Sequence, residues 1–173
     1  MPSSIQVLHQ LATGLEYIHN MKLVHRDLKP ENVLIWVDSR TDKVLMKWSG
    51  FGLCEQVDES GSYAITEIKG TFTYLAPEIL KIKILKDNGQ RSIAELQRGT
   101  LKSDVFGEGL VFGYFLSQGK HPYGSEHQEI QSNIINQNAI NLESNSNFIF
   151  PCKKIIFLSA LKKYNHSATK TLF

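Results

Sequence analysis

The chain predicts a mainly helical α+β fold carrying a small β-hairpin, and three stretches predict it. Ile5, Leu8, Leu11, Ala12, Leu15 and Ile18 recur at spacings of three and four, which lays them on one face of a helix of roughly four turns. Val33-Leu34-Ile35-Trp36-Val37 and Val44-Leu45-Met46-Lys47-Trp48 are β-branched and aromatic runs joined by the polar turn Asp38-Ser39-Arg40-Thr41-Asp42, so they read as strands folded back on each other. Asp104 stands at the head of a third segment whose apolar run, Leu110 to Leu116, reads as another helix.

At 173 residues and 42% hydrophobic content the chain has the size and composition of one globular domain. A net charge of +2, with both signs interspersed, predicts no surface of the kind nucleic acids need, so nucleic acid is not an expected partner. Cys54 and Cys152 share no metal-ligand spacing with the six histidines and read as reduced thiols. No basic-then-apolar leader opens the chain, and the run near Ile155 to Leu161 is too short for a bilayer. The expectation is a soluble, cytoplasmic polypeptide without membrane insertion.

Taken in order, Ser3 with Gln6 forms the pattern of a capping box, and Asn20 is placed to take the left-handed conformation that ends a helix. His9 and His19 read as exposed helix residues. Leu23-Val24 lead into a polar loop, the hairpin follows, and Gly50 to Glu78 is a polar stretch with Ser60-Gly61-Ser62-Tyr63 at its middle. Lys81 to Lys102 reads as a solvated insertion, with a short docking helix near Ile93 to Leu96 as the competing idea. Asp104 is expected to cap the free amides of the helix it heads. Gly119-Lys120-His121-Pro122-Tyr123-Gly124 breaks the chain, and Ile130, Ile134 and Ile135 mark one more helix. From Asn145 to Phe173 the sequence mixes Asn, Ser and Lys with short apolar runs at Phe148 to Phe150 and Ile155 to Leu158.

The chemistry is concentrated in His25-Arg26-Asp27-Leu28-Lys29-Pro30-Glu31-Asn32, one acid, two cations and an amide within eight residues. Asp27 beside Arg26 and Lys29 should be ionised at neutral pH and able to accept a hydroxyl proton. Read as H-R-D-x-K-x-x-N, the stretch resembles the catalytic loop of protein kinases, and Lys29 two residues after Asp27 resembles the serine/threonine type. Gly70-Thr71-Phe72-Thr73-Tyr74-Leu75-Ala76-Pro77-Glu78 resembles the end of the same family's activation segment. Gly52-Leu53-Cys54 and the stretch from Asp104-Val105-Phe106 to Gly124 look most like the IRE-type stress-sensor kinases.

The resemblance covers about Ser3 to Leu142 and implies the larger, C-terminal lobe of a kinase, helices around a central buried helix with the hairpin beside the catalytic loop. Residues 1–142 are then the lobe and 143–173 a divergent tail; the N-lobe, with its glycine-rich loop and ATP-anchoring lysine, and a nuclease domain are not expected in the chain. By resemblance Asp27 is the catalytic base, Lys29 neutralises charge on the transferred phosphoryl group and Asn32 is a magnesium ligand. Thr71 is expected to hydrogen-bond Asp27 and Lys29, Asp104 to hold the backbone around His25, and Phe51 to stack on His25. Arg26 resembles a receiver for a phosphorylated activation segment, with Glu67 as a permanent substitute for the phosphate. Glu78, usually paired with an arginine that this sequence lacks, is expected to be exposed, re-paired or destabilising. The family's metal-binding Asp is replaced by Gly50. ATP and Mg2+ are the implied cofactors and a protein the implied substrate or partner, with doubtful nucleotide binding and an impaired serine/threonine kinase as the expectation. The alternative is a pseudokinase or docking module that binds a protein without catalysis.

Overall fold

The computed structural model describes residues 2–90 and 97–143. Helix α1, Ser4–Asn20, begins at the expected capping box: Gln6 N donates to Ser3 Oγ at 3.3 Å and Ser3 N donates to Gln6 Oε1 at 2.8 Å. Its apolar face buries Val7, Leu8, Leu11, Leu15 and Ile18. Asn20 does not end the helix in the left-handed conformation; Lys22 does, at φ 59°. The helix is still hydrogen-bonded through Met21, whose N–H reaches the Tyr17 and Ile18 carbonyls, so reversal is needed only where the next strand starts.

Strand β1, Leu23–Val24, pairs antiparallel with β4, Glu55–Gln56. The predicted hairpin is β2, Val33–Val37, with β3, Val44–Trp48, in the register Val33 opposite Trp48 and Val37 opposite Val44. Asp38 closes the turn by accepting from Arg40 N and Thr41 Oγ1 at 2.9 and 2.8 Å, bonds that hold its carboxyl below the usual range. Met46 and Trp48 face α1, and Trp48 Nε1 donates to Leu11 O at 3.0 Å. A third antiparallel pair joins β5, Ser62–Ala64, to β6, Arg98–Thr100.

Among the described residues the remaining helices are α2, Pro77–Asp87; α3, Lys102–Leu116; α4, His127–Ile135; and α5, Ile140–Glu143. Eleven of the fifteen residues of α3 are buried, which makes it the central helix the resemblance implied. It serves two cores at once, since Phe106 and Leu110 pack with α2 and α4 while Val111, Phe112 and Leu116 pack with α1 and β3. Gly107 is small because α3 passes close to Leu28 and Tyr74: an added Cβ would lie 3.3 Å from the Tyr74 carbonyl.

Of the stretch 81–102, expected as a solvated insertion, residues 81–87 continue α2 and 98–100 form β6; Ile82 is buried, while Lys81, Ile84, Asp87 and Arg98 are exposed. α2 runs to Asp87 and buries Ile79, Leu80 and Ile82 beneath its lysines, and the segment ends in β6. The docking-helix idea for Ile93 to Leu96 lies outside the described residues, as do Cys152, Phe148 to Phe150 and Ile155 to Leu158. Cys54 is a free thiol whose pKa burial raises, with Asp104 adding to the rise and Arg26 opposing it. Among the described residues no helix is long and apolar enough to cross a membrane.

His121 shows how the Gly119 to Gly124 break is held. It is buried, its Nε2 donates to Thr73 O at 2.9 Å, and its Nδ1 accepts from Tyr123 N at 3.1 Å. Burial pushes its pKa down to about 4 despite the Thr73 bond. Because the unfolded chain takes a proton near 6.5 and the folded one only near 4, stability contributed by neutral His121 is complete above 6.5 and is lost as pH falls toward 4. Denaturant titrations should show a fall of about 3 kcal/mol across that window, and His121→Gln should flatten it.

Candidate active site

The polar loop leaves β1 at His25 and ends in a single 3-10 turn, Pro30–Asn32, before β2. Arg26 is the strained point, a non-glycine residue at φ 67°. Asp104, buried at 2% exposure in the first turn of α3, accepts from His25 N at 2.7 Å and Arg26 N at 2.9 Å. It does not cap its own helix as expected, because α3 starts two residues earlier and the carboxylate turns outward onto the loop. Nor is His19 an exposed bystander: its Nε2 lies 2.9 Å from the same carboxylate, so α1 also anchors to Asp104.

His25 is fully buried. Asp27 N donates to its Nδ1 at 3.3 Å, which leaves Nε2 to donate to Ser49 O at 2.8 Å. Its ring lies 5.2 Å from Phe51 and 6.3 Å from Trp48; the His25 and Phe51 rings expected to stack are in contact but tilted by 55°, and Phe51 keeps 52% of its surface exposed.

The structure brings Asp27, Lys29, Asn32 and Thr71 together. Asp27 Oδ1 accepts from Thr71 N at 3.0 Å and Thr71 Oγ1 at 2.9 Å, while Oδ2 accepts from Asn32 Nδ2 at 3.0 Å and lies 3.1 Å from Lys29 Nζ. Lys29 Nζ also donates to Thr71 Oγ1 at 2.9 Å, and Asn32 Nδ2 donates to the Asp27 carbonyl at 2.7 Å. Burial pushes the Asp27 carboxyl up, but Lys29, Thr71 and Asn32 together outweigh it and hold the group below its ordinary value. Gly70 allows the close approach that places Thr71, for its Cβ would lie 2.3 Å from the Arg26 carbonyl.

Arg26 does not meet Glu67. Its guanidinium pairs with Glu55, donates from Nε to Leu53 O at 2.6 Å and lies over the Tyr63 ring, whereas exposed Glu67 pairs with Lys69 at 3.2 Å. Glu55 wins because β4 is zipped to β1 directly beside Arg26, while Glu67 sits on a later loop. Glu78 is half-buried in the first turn of α2, a favourable end of the helix dipole for an acid, and is not without a partner. His19, Glu55 and Tyr63 are the site residues that sequence reasoning missed; only the β1–β4 pairing, invisible in strands two residues long, could have pointed to Glu55.

Gly50 has φ 81°, and an added Cβ would lie 2.6 Å from Asn32 Cγ, Nδ2 and Oδ1. The amide of Asn32 thus fills the space a side chain at 50 would need. Among the described residues no three His, Cys, Asp or Glu side chains converge as a metal site. Asn32 bonds Asp27 through Nδ2 alone, which leaves its amide oxygen, the expected magnesium ligand, out of those bonds; the carboxylate that the resemblance would set beside it is replaced by Gly50, so the implied magnesium set is incomplete.

A mostly helical fold that presents an Asp–Lys–Asn loop against a threonine of a long polar segment has the build of a protein kinase domain. The protein kinase domain model matches residues 3–169, and the chain belongs to that family. It is 30% identical over 145 residues to the sensor for unfolded proteins in the ER ire1 of Schizosaccharomyces pombe, covering 78% of this chain and 13% of the relative. It is also 31% identical to the serine/threonine-protein kinase/endoribonuclease IRE1 of Hypocrea jecorina, over 87% of this chain and 14% of the relative. With the serine/threonine-protein kinase/endoribonuclease IRE2 of Homo sapiens the identity is 35%, over 75% of this chain and 13% of the relative. The chain therefore spans about an eighth to a seventh of the length of these curated relatives.

Gly50→Ala should lower stability by about 1–3 kcal/mol, since it combines positive φ with a collision at Asn32. Gly52→Ala, whose Cβ meets nothing within 4 Å, should stay within about 0.5 kcal/mol of wild type in the same denaturant titration.

Proposed function

We propose that this chain is the C-terminal, helical lobe of a serine/threonine protein kinase domain, organised for phosphoryl transfer from ATP to protein hydroxyls, and that its turnover is impaired at Gly50. Supporting the class is the contact set of Asp27, Lys29 and Thr71 within a family whose members generally use ATP and Mg2+. The observation that carries the impairment is that position 50, where the family's metal-binding carboxylate would stand, is a glycine at φ 81° with the Asn32 amide packed against it.

In this reading Asp27 accepts the proton of the substrate hydroxyl, and its lowered pKa keeps it ionised for that at neutral pH. Lys29, shared between Asp27 and Thr71, offers its charge to the transferred group. Thr71 holds the carboxylate by its amide and hydroxyl together, so the segment that would receive a peptide is tied to the base. All four bonds to Asp27 also stabilise the carboxylate over its protonated form, and this weakens it as a base. None of these roles runs through a metal, since the carboxylate that would hold one beside Asn32 is replaced by Gly50.

A second reading, a docking module without catalysis, is favoured by one feature. Leu34, Ile35, Trp36 and Val37 of β2 are each 46–58% exposed, with Phe51 similarly bare. Incubation of the whole chain with radiolabelled ATP, magnesium and a generic basic protein should give label no higher than the Asp27→Asn variant. Label clearly above that control would overturn the impairment and leave the class standing.

A further inference from the structure

Tyr63 is buried at 5% exposure in the middle of β5, directly across from Gly99 of β6. Its ring lies over the glycine: a Cβ at Gly99 would fall 2.2 Å from Tyr63 Cζ and 2.4 Å from Cε1 and Oη. Gly99 has no positive φ, so the demand for glycine here comes from the ring and not from the backbone. An aromatic laid across a cross-strand glycine pins register between two short strands. The strands need this, since the ladder is only three pairs long.

The ring also faces Arg26, whose guanidinium carbon lies 5.6 Å from the ring centroid. At the other end the phenol bonds Ser103, which itself donates to Thr100 O at 2.8 Å. Burial raises the phenol to about 12, so it is neutral throughout the working range, with Asp104 and Glu78 adding to the rise and Ser103 and Arg26 opposing it. Tyr63 therefore touches three things at once: the strand that leads into α3, the start of α3 beside Asp104, and the arginine adjoining Asp27.

We propose that Tyr63, seated on Gly99, is a positioning residue that couples the activation segment to the catalytic loop through Arg26, with β6 as its support. The segment is then aligned by an aromatic ring and the internal acid Glu55, a form of ordering that needs no added phosphate. The importance of this alignment for phosphoryl transfer rests on the proposed function, but the coupling itself does not.

Amide hydrogen exchange on the whole chain tests it. In Gly99→Ala, where the ring is displaced, and in Tyr63→Leu, where it is lost, exchange at the Arg26 and Thr71 amides should rise about tenfold, while Leu11 and Leu15 in α1 hold their rates. Tyr63→Phe, which retains the ring, should stay near wild type. Should Gly99→Ala not fold, Tyr63→Leu against Tyr63→Phe decides. Unchanged exchange at Arg26 and Thr71 would overturn the coupling, and so would a uniform rise across α1 and the loop, which is a purely structural effect. In the wild-type chain one Gly99 Hα should be shifted upfield by the ring, and two unshifted resonances would also overturn it. Label clearly above the Asp27→Asn control in the transfer assay would overturn the proposed impairment while leaving these exchange rates unaltered, so the two failures are distinguishable.

Discussion

The Asp104 carboxylate is the contact on which the other arrangements depend. A buried acid at 2% exposure must have its oxygens satisfied, and the donors it finds are the His25 and Arg26 amides and the His19 ring, from the loop and from α1. Two separate parts of the chain, the loop and α1, are thereby fixed to the first turn of α3. The left-handed turn at Arg26, costly for a residue with a side chain, is held in place because both amides around it are engaged. Loop geometry follows from that turn: Asp27 is directed toward Thr71 and Lys29, and Arg26 toward Glu55 and Tyr63.

Glycines at two places let backbone and side chain come closer than any other residue would permit. At Gly70 the approach is to the Arg26 carbonyl, and it brings Thr71 within reach of both oxygen and nitrogen groups of the loop. At Gly50 the neighbour is the Asn32 amide, which leans on Asp27. The first close approach assembles the polar cluster, and the second packs the Asn32 amide against the backbone at position 50.

Electrostatic balance within the cluster is local. Asp27 is buried enough to be penalised as an anion, and three neighbours reverse that penalty. Arg26, one residue away, is compensated by a different acid on a different strand. The cations of the loop therefore belong to two separate networks, although they are three residues apart in the chain. Tyr63 is the side chain that bridges the second network to the sheet and to α3.

Sequence alone determined the elements whose signal is local: α1 with its capping box, the β2–β3 hairpin with its Asp38 turn, the apolar run of α3, and the Ile130 and Ile134 face of α4. It also pointed to Asp27, Lys29, Asn32 and Thr71 as one cluster, which the structure does bring together, because those residue types stand at spacings that a family motif specifies. Tertiary structure decided the partners. That Asp104 faces the loop and does not cap its helix, that His19 joins it, that Arg26 takes Glu55 and leaves Glu67 to Lys69, and that residues 98–100 form a strand all depend on contacts between distant parts of the chain. Periodicity and capping report the energy of a segment with its own neighbours, whereas a buried charge chooses among every donor the folded chain brings within about 3 Å of it, and no short stretch of sequence encodes that choice.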